Sequence, residues 1–246
     1  MLPQLYHAHH NRHQEDLPFW LELAAQNGDP VLELGCGTGR VLVPLAQAGY
    51  RTIGLAYDLT MLKYLKSNTG FQLQPAPFLL AGDISRFSLS ARFPLIILPC
   101  NTFSTLDDVH RRACLGCIRT HLPEGGIFAL SVPNPAILMH LPARAGGELE
   151  DEFIHPQTGN PVQVSSTWRR LKSVVKVTWI YDHLFPDGTV DRLSVVVEHR
   201  LISMKNYVDD FEYCGLNVTE LFGDFDRSAY KPDSPHLIIL ATPHPY

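Results

Sequence analysis

A glycine-rich segment of the chain carries residue types that suit the binding of a small anionic ligand. The segment Val31–Arg40 reads VLELGCGTGR, in which an apolar run with one acidic residue precedes three glycines at alternate positions. Glycine lets a ligand approach the backbone closely and permits positive φ angles. The pattern predicts a buried strand, a glycine loop and a helix from Arg40 to about Ala48, whose first N–H groups can hold an anion.

The spacing of the glycines separates several ligand classes. A dinucleotide fingerprint needs glycines at Gly35, Gly37 and position 40, where this chain has arginine. The acidic Glu33 also lies where a nicotinamide enzyme does not need it. The phosphate-binding Walker pattern fails as well, because no Gly-Lys-Ser/Thr sequence follows. A nicotinamide-dependent oxidoreductase is therefore a less favoured alternative.

The segment resembles motif I of the class I S-adenosylmethionine (SAM) dependent methyltransferases, and further landmarks of that family follow in order. Gly54–Leu62 resembles the second motif, and Gly82–Ile84 resembles the third. Cys100–Phe103 takes the place of the loop after the fourth strand, beside the methyl donor, and Pro123–Gly126 matches the turn before the fifth strand. The resemblance implies an enzyme that uses SAM as its cofactor and releases S-adenosylhomocysteine.

The resemblance also implies a set of cofactor-binding residues at the carboxyl ends of the strands, where ligands of open α/β sheets bind. Backbone N–H groups near the glycines and the Thr38 hydroxyl would hold the SAM carboxylate, and Arg40 either adds charge there or lies on the surface. Asp83 would accept from the adenine amino group. The full set is Glu33, Gly35, Cys36, Gly37, Thr38, Gly39, Asp58, Met61, Leu62, Asp83, Ile84, Cys100 and Asn101.

Two positions depart from the family pattern. The acid that binds the ribose hydroxyls is expected at Ala56, whereas this chain has its acid two residues later, at Asp58. Pro94 replaces the aspartate that often opens the fourth strand. We hypothesise that the loop shifts so that Asp58 reaches the ribose. The alternative is a non-catalytic protein that binds SAM or a nucleoside through a degenerate ribose site.

Methyl transfer is an in-line displacement in which positioning provides most of the acceleration. A general base is needed only when the acceptor is protonated, and the sequence assigns no catalytic residue. Tyr6, His9, His10 and His13 lie on a segment that often folds over the cofactor as a lid in related methyltransferases, and the alternative is a surface helix with incidental histidines. His9 and His13 have the i, i+4 spacing of a metal-binding pair, but no third ligand is tied to them, so no metal is expected.

Composition limits the acceptor and the partners. The chain has 246 residues and a formal net charge of −5, with no basic cluster, which argues against nucleic acid. The residues Asn101–Ser104 also lack the Asn/Asp-Pro-Pro-aromatic sequence of many amino methyltransferases of nucleic acids and proteins. No apolar run is long enough to span a membrane, and the odd number of cysteines suits reduced thiols. We expect a cytoplasmic enzyme that methylates O or N of a small molecule.

The elements that position these residues follow an α/β pattern. Strands alternate with helices up to Pro133, which predicts a parallel sheet covered on both faces. From Val162 to Ser203 the chain reads as long alternating strands, whereas the acidic run Glu148–Glu152 reads as an exposed loop. We expect a seven-stranded, doubly wound sheet with an inserted antiparallel cap. The core would comprise residues 1–132 and 204–246, and the cap, residues 133–203, would contact the acceptor or form a homodimer.

Overall fold

The computed structural model describes residues 2–69 and 73–244. Its helices are α1 (Leu2–His10), α2 (Leu17–Asn27), α3 (Leu42–Gln47), α4 (Leu59–Thr69), α5 (Asp108–His121), α6 (Pro135–His140) and α7 (Met204–Tyr213). Its strands are β1 (Val31–Leu34), β2 (Thr52–Ala56), β3 (Phe78–Ala81), β4 (Leu95–Leu98), β5 (Ile127–Pro133), β6 (Arg144–Ile154), β7 (Pro161–Arg170), β8 (Val174–Leu184), β9 (Val190–Arg200), β10 (Leu216–Phe222) and β11 (His236–Pro243).

Seven of the strands form one sheet in the order β10-β11-β5-β4-β1-β2-β3. The first five strands of the chain pair in parallel, and β11 pairs antiparallel with both β5 and β10. Every residue of β1 and β4 is buried, as expected for strands covered on both faces. The prediction of a seven-stranded, doubly wound sheet is confirmed.

The strand order places a crevice above the centre of the sheet. The chain runs from β1 outward to β3 and then returns to place β4 on the other side of β1. Ligands of such sheets bind at this reversal, outside the carboxyl ends of the strands. The loops that follow β1 and β4 therefore flank the crevice.

Apolar clusters on the two faces of this sheet hold the crevice rigid. On one face, Trp20 of α2 is fully buried against Val31 and Ile97. On the other face, Phe128 of β5 stacks on Phe211 of α7, with their ring centroids 5.6 Å apart. Burying a side chain of this size contributes on the order of 2 kcal/mol, so these contacts fix the strands that carry the loops.

The strands β6 to β9 form a second, antiparallel sheet, hereafter the cap sheet. Leu5 of α1 packs in one apolar cluster with Phe153, Val164 and Tyr181 of this sheet. The cap sheet therefore holds α1 in place as well as lying beside the core. The division of the chain at residues 133 and 203 stays a prediction.

The expectation of a loop at Glu148–Glu152 is wrong, because these residues lie inside β6. The strand is at the edge of the cap sheet, where charged side chains are tolerated and discourage pairing with other chains. Glu150 accepts a hydrogen bond from the Ser166 hydroxyl, and Glu152 Oε2 accepts one from Gln163 Nε2 at 3.2 Å. None of the helices in the described part of the chain is long and apolar enough to cross a membrane.

Candidate cofactor and acceptor site

The loop after β1 has a backbone that favours glycine at three positions. Gly35, Gly37 and Gly39 have φ angles of 72°, 51° and 85°, which side chains rarely adopt. A Cβ atom at Gly39 would also clash with the Leu65 side chain. The helix that follows begins at Leu42 rather than Arg40, and Gly39 N–H already donates to Cys36 O at 2.8 Å. Gly39 N–H is therefore not free for the expected anion contact.

Glu33 is a buried acid directly below this loop. Its side chain is 2% exposed, and Oε2 has no hydrogen-bond partner among the described residues. Burial raises the pKa of Glu33 to about 8. A buried carboxylate without a partner is costly, and a cationic ligand group would relieve that cost. Glu33 thus fits the ammonium end of a SAM-like ligand.

Three of the predicted cofactor-binding residues contribute their side chains to apolar clusters inside the protein. Cys36 and Leu62 pack in one apolar cluster with Ala56, and Ile84 lies in the main core of the sheet. Burial raises the pKa of the Cys36 thiol, which keeps it neutral. These side chains support the loops from below.

Asp58 and Asp83 come together at the ends of β2 and β3. Both line an open depression of about 750 Å³ that also includes Gly82 and Arg86. Asp58 Oδ1 accepts hydrogen bonds from Thr60 N and Thr60 Oγ1, both at 2.7 Å, and these bonds lower its pKa. Asp83 forms the equivalent bonds with Ser85, so both aspartates are ionised acceptors in one depression. Their roles toward ribose and adenine remain predictions.

The loop after β4 has unusual backbone angles. Cys100 and Asn101 have φ angles of 61° and 64°, a region that residues other than glycine seldom enter. A Cβ atom at Gly35 would lie 3.1 Å from Thr102 Oγ1, so this loop closes on the glycine loop. Such strain persists where the surrounding structure over-determines it, often at ligand sites.

Arg40 serves neither of the two roles expected from the sequence. Its Nη1 and Nη2 donate to Asp16 Oδ1 and Oδ2 at 2.5 and 2.6 Å, and Nη2 also lies 2.9 Å from Cys100 Sγ. The Arg40 side chain is only 13% exposed. Arg40 therefore joins the glycine loop to the start of α2 and to the β4 loop, and its charge is already paired.

The helix α1 lies over the glycine loop. His7 Nδ1 is 3.2 Å from Thr38 Oγ1, and the His7 ring contacts the Tyr64 ring of α4. Tyr6 is packed against the His10 ring, and burial, reinforced by the nearby Cys100, raises the pKa of the Tyr6 hydroxyl. The segment predicted to be a lid is thus a helix in contact with the loop.

A cavity of about 470 Å³, hereafter the acceptor cavity, opens beside Cys100 and Asn101. It lies where α1, the glycine loop, the cap sheet and the segment before β11 meet. Sequence reasoning missed several of its walls, because they come from distant parts of the chain. The lining residues are His9, His10, His13, Glu15, Asp16, Arg40, Cys100, Asn101, Ser131, Trp179, Asp224, Phe225 and His236.

Comparisons with known proteins agree with this geometry. A family described as "Methyltransferase domain" matches residues 31–126. The putative methyltransferase YqeM of Bacillus subtilis is 21% identical over 90% of this chain and 87% of its own length. The cypemycin N-terminal methyltransferase of a Streptomyces species is 30% identical, over 50% of this chain and 47% of its own length.

Solved structures share the whole architecture. A SAM-dependent methyltransferase from Clostridium acetobutylicum superposes with a TM-score of 0.82 at 17% identity, covering 98% of this chain and 97% of that one. SAM-bound CalS10, an amino pentose methyltransferase from Micromonospora echinaspora, gives a TM-score of 0.74 at 21% identity, covering 98% and 97%. The chain therefore has the fold of the class I SAM-dependent methyltransferases, and residues 31–126 match the methyltransferase domain family.

The family match bears on the alternatives left open by the sequence. Residues 31–126 match a methyltransferase domain, and neither the non-catalytic binder nor the nicotinamide-dependent oxidoreductase is favoured. SAM is the ligand bound in the CalS10 structure. The unpartnered Glu33 Oε2 and the positive-φ glycine loop fit its charged amino-acid end.

Proposed function

We propose that this methyltransferase transfers the methyl group of SAM to an amino nitrogen of a small molecule that binds in the acceptor cavity. The observation that carries the proposal is the charge of the cavity wall. Asp16 is neutralised by its ion pair with Arg40, and Glu15 and Asp224 contribute two further carboxylates without a matching cation among the described residues of the wall. A cleft with a net negative charge attracts a cation, here a protonated amine.

Related proteins point to the same chemistry. The cypemycin enzyme is named for an N-terminal acceptor and CalS10 for an amino pentose, and both acceptors carry amines. Trp179 and Phe225 add aromatic surface to the cavity, which suits the apolar part of a small molecule and can attract a cation. A cavity of about 470 Å³ lies within the usual size range for small ligands.

A protonated amine must lose a proton before its lone pair can attack. The nitrogen then forms a bond to the methyl carbon, and the broken carbon–sulfur bond leaves its electron pair on sulfur. His236 lines the cavity, and its Nδ1 is buried without a hydrogen-bond partner among the described residues. Burial lowers the pKa of His236, although Asp224 and Asp16 oppose that shift. A neutral imidazole beside acidic groups is suited to accept the proton.

A screen with matched acceptors tests the proposal. Purified protein and labelled SAM are offered pairs of amines and alcohols that share one skeleton, amino sugars among them, and the methylated atom is identified by mass spectrometry. We expect methylation of the amines only. Preference for the alcohol of a pair, or SAM binding without amine methylation, would contradict the proposal.

Cavity variants make the test specific. Asp224→Asn should raise KM for the amine roughly ten-fold, because a charged contact is lost. His236→Gln should lower kcat and shift the kcat profile to higher pH, where the amine loses its proton without help. Asp226→Asn and His140→Gln change exposed residues outside the acceptor cavity and serve as controls.

We also propose the cytoplasm as the location of this enzyme, because its five cysteines are all free and suit a reducing compartment. The negative net charge supports a reaction without a nucleic acid or membrane partner. A homodimer through the cap region remains a proposal, and sedimentation of the purified protein would test it.

A further inference from the structure

A group of metal-ligating side chains lies where α1 meets the cap sheet. One ligand atom from each of His9, His13 and Asp151 lies within 4.8 Å of the other two. His9 and His13 are four residues apart in the chain, and Asp151 enters from β6. Two imidazoles and one carboxylate are the ligand types of zinc and related divalent metals. The third ligand was invisible in the sequence because β6 reads as a loop.

The environment of His9 matches that of a metal ligand. His9 is buried, and its Nδ1 lies 3.2 Å from Tyr181 Oη. That contact orients the ring and leaves Nε2 as the ligand atom. Imidazole ligands in metal sites usually have such a partner on the other ring nitrogen.

Asp151 carries a second sign of an unfilled site. Its Oδ2 is buried and makes no hydrogen bond, although Arg12 Nε lies 3.1 Å away as an ion pair. The Arg12 side chain is 53% exposed, so it can move into solvent when another cation takes its place. The carboxylate is therefore ready to bind a cation.

We propose that His9, His13 and Asp151 bind a divalent transition metal such as Zn²⁺ in a three-ligand site at the edge of the acceptor cavity. Tetrahedral zinc ligands lie roughly 3.4 Å apart, and the exposed His13 side chain can move inward to reach that spacing. Three protein ligands leave one coordination position open. Because His9 and His13 both line the cavity, an oxygen of the acceptor can take that position.

The proposal goes beyond methyl transfer and does not depend on which acceptor atom is methylated. Its test is metal binding alone. Protein stripped with a chelator is titrated with Zn²⁺ by calorimetry and with Co²⁺ by visible absorption. We expect one metal per chain, a Co²⁺ spectrum of low coordination number, and a higher Tm with Zn²⁺ because the ligand binds only the folded state.

Variants of two of the three proposed ligands and of their neighbours separate this site from chance binding. His13→Ala and Asp151→Asn should each weaken Zn²⁺ binding at least ten-fold, and Tyr181→Phe should weaken it by roughly ten-fold. Arg12→Gln should tighten binding, because a competing cation is removed. His140→Ala and Asp187→Asn are controls away from the site and should bind like the wild type.

Two results would overturn the proposal. The first is wild-type protein that binds no stoichiometric Zn²⁺ or Co²⁺ in the micromolar range. The second is binding that His13→Ala and Asp151→Asn leave unchanged. Neither result bears on amine methylation, which the acceptor screen tests separately.

Discussion

Asp16 and Arg40 form a two-pronged ion pair in which each carboxylate oxygen accepts from one terminal nitrogen of the guanidinium, at 2.5 and 2.6 Å. The two side chains are 9% and 13% exposed. Asp16 Oδ2 also accepts from Trp20 Nε1 at 2.8 Å. The pair thus links the glycine loop, the start of α2 and the acceptor cavity in one network.

Removing one member of this pair should be costly. Asp16→Asn leaves the buried Arg40 charge without its counter-ion, so we expect a loss of about 3 kcal/mol in the free energy of unfolding, measured by urea denaturation. The control is Asp209→Asn, which breaks the exposed Lys205–Asp209 pair. That change should alter stability by less than about 1 kcal/mol. An equal loss in the free energy of unfolding for the two variants would contradict the conclusion that the buried Asp16–Arg40 pair is the more important of the two.

Glu33 should make stability depend on pH in a defined direction. Its folded-state pKa of about 8 lies above the ordinary value of 4.5, so the folded protein holds a proton that the unfolded chain releases. The contribution is full below about pH 4.5 and is lost as the pH rises through about 8. Without SAM, the wild type should lose a few kcal/mol more than Glu33→Gln over that range. The free energy of unfolding is measured by denaturant titration at each pH. Profiles that run parallel for the wild type and Glu33→Gln would refute the raised pKa of Glu33.

Gly39 should tolerate no side chain. Gly39→Ala combines an unfavourable positive φ with a clash against Leu65, so we expect a loss of at least about 2 kcal/mol and much weaker SAM binding. Gly49→Ala is the matched control, because Gly49 has a φ of 97° but open space around its Cβ position. Its cost should be near 1 kcal/mol with SAM binding intact. Denaturation and SAM calorimetry on both variants measure the two effects.

Asp58 should affect cofactor binding more than stability. It caps α4 through its bonds to Thr60, and asparagine caps helices about as well as aspartate does. If the Asp58 charge also holds the ribose, Asp58→Asn should weaken SAM binding roughly ten-fold while Tm stays nearly constant. Ala56→Asp is the complementary test. A large gain in SAM affinity from that change would show that Asp58 does not serve the ribose.

The order of the motifs was enough to predict the core fold. Short apolar runs of three to seven residues identified the strands of the main sheet, and the glycine loop fell at the end of β1 as expected. The predicted cap also appears as an antiparallel sheet. The strand β6 escaped prediction because its acidic run is typical of a solvated loop, whereas an edge strand accepts the same charges.

The site was harder to predict than the fold, because its decisive contacts join distant residues. Arg40 and Asp16 are in contact although they are 24 positions apart in the chain, and His9 and Tyr181 are in contact at a separation of 172 positions. Local spacing cannot specify such pairs. The motifs placed Asp58 and Asp83 beside each other only because successive parallel strands end at the same edge. The walls of the acceptor cavity come partly from the cap sheet and from the segment before β11. Local sequence patterns could not predict that these segments meet.

The packing of α1 on the cap sheet has a consequence for how the protein assembles. Leu5 and His9 contact Tyr181, which lies more than 170 positions later in the chain. Contacts of such long sequence range form slowly, since a large loop must close first. The helix that covers the glycine loop also contacts Thr38 and Tyr64 of the core, but its contacts with Tyr181 form only once the cap sheet exists. The full set of contacts that holds this helix over the site therefore requires both sheets.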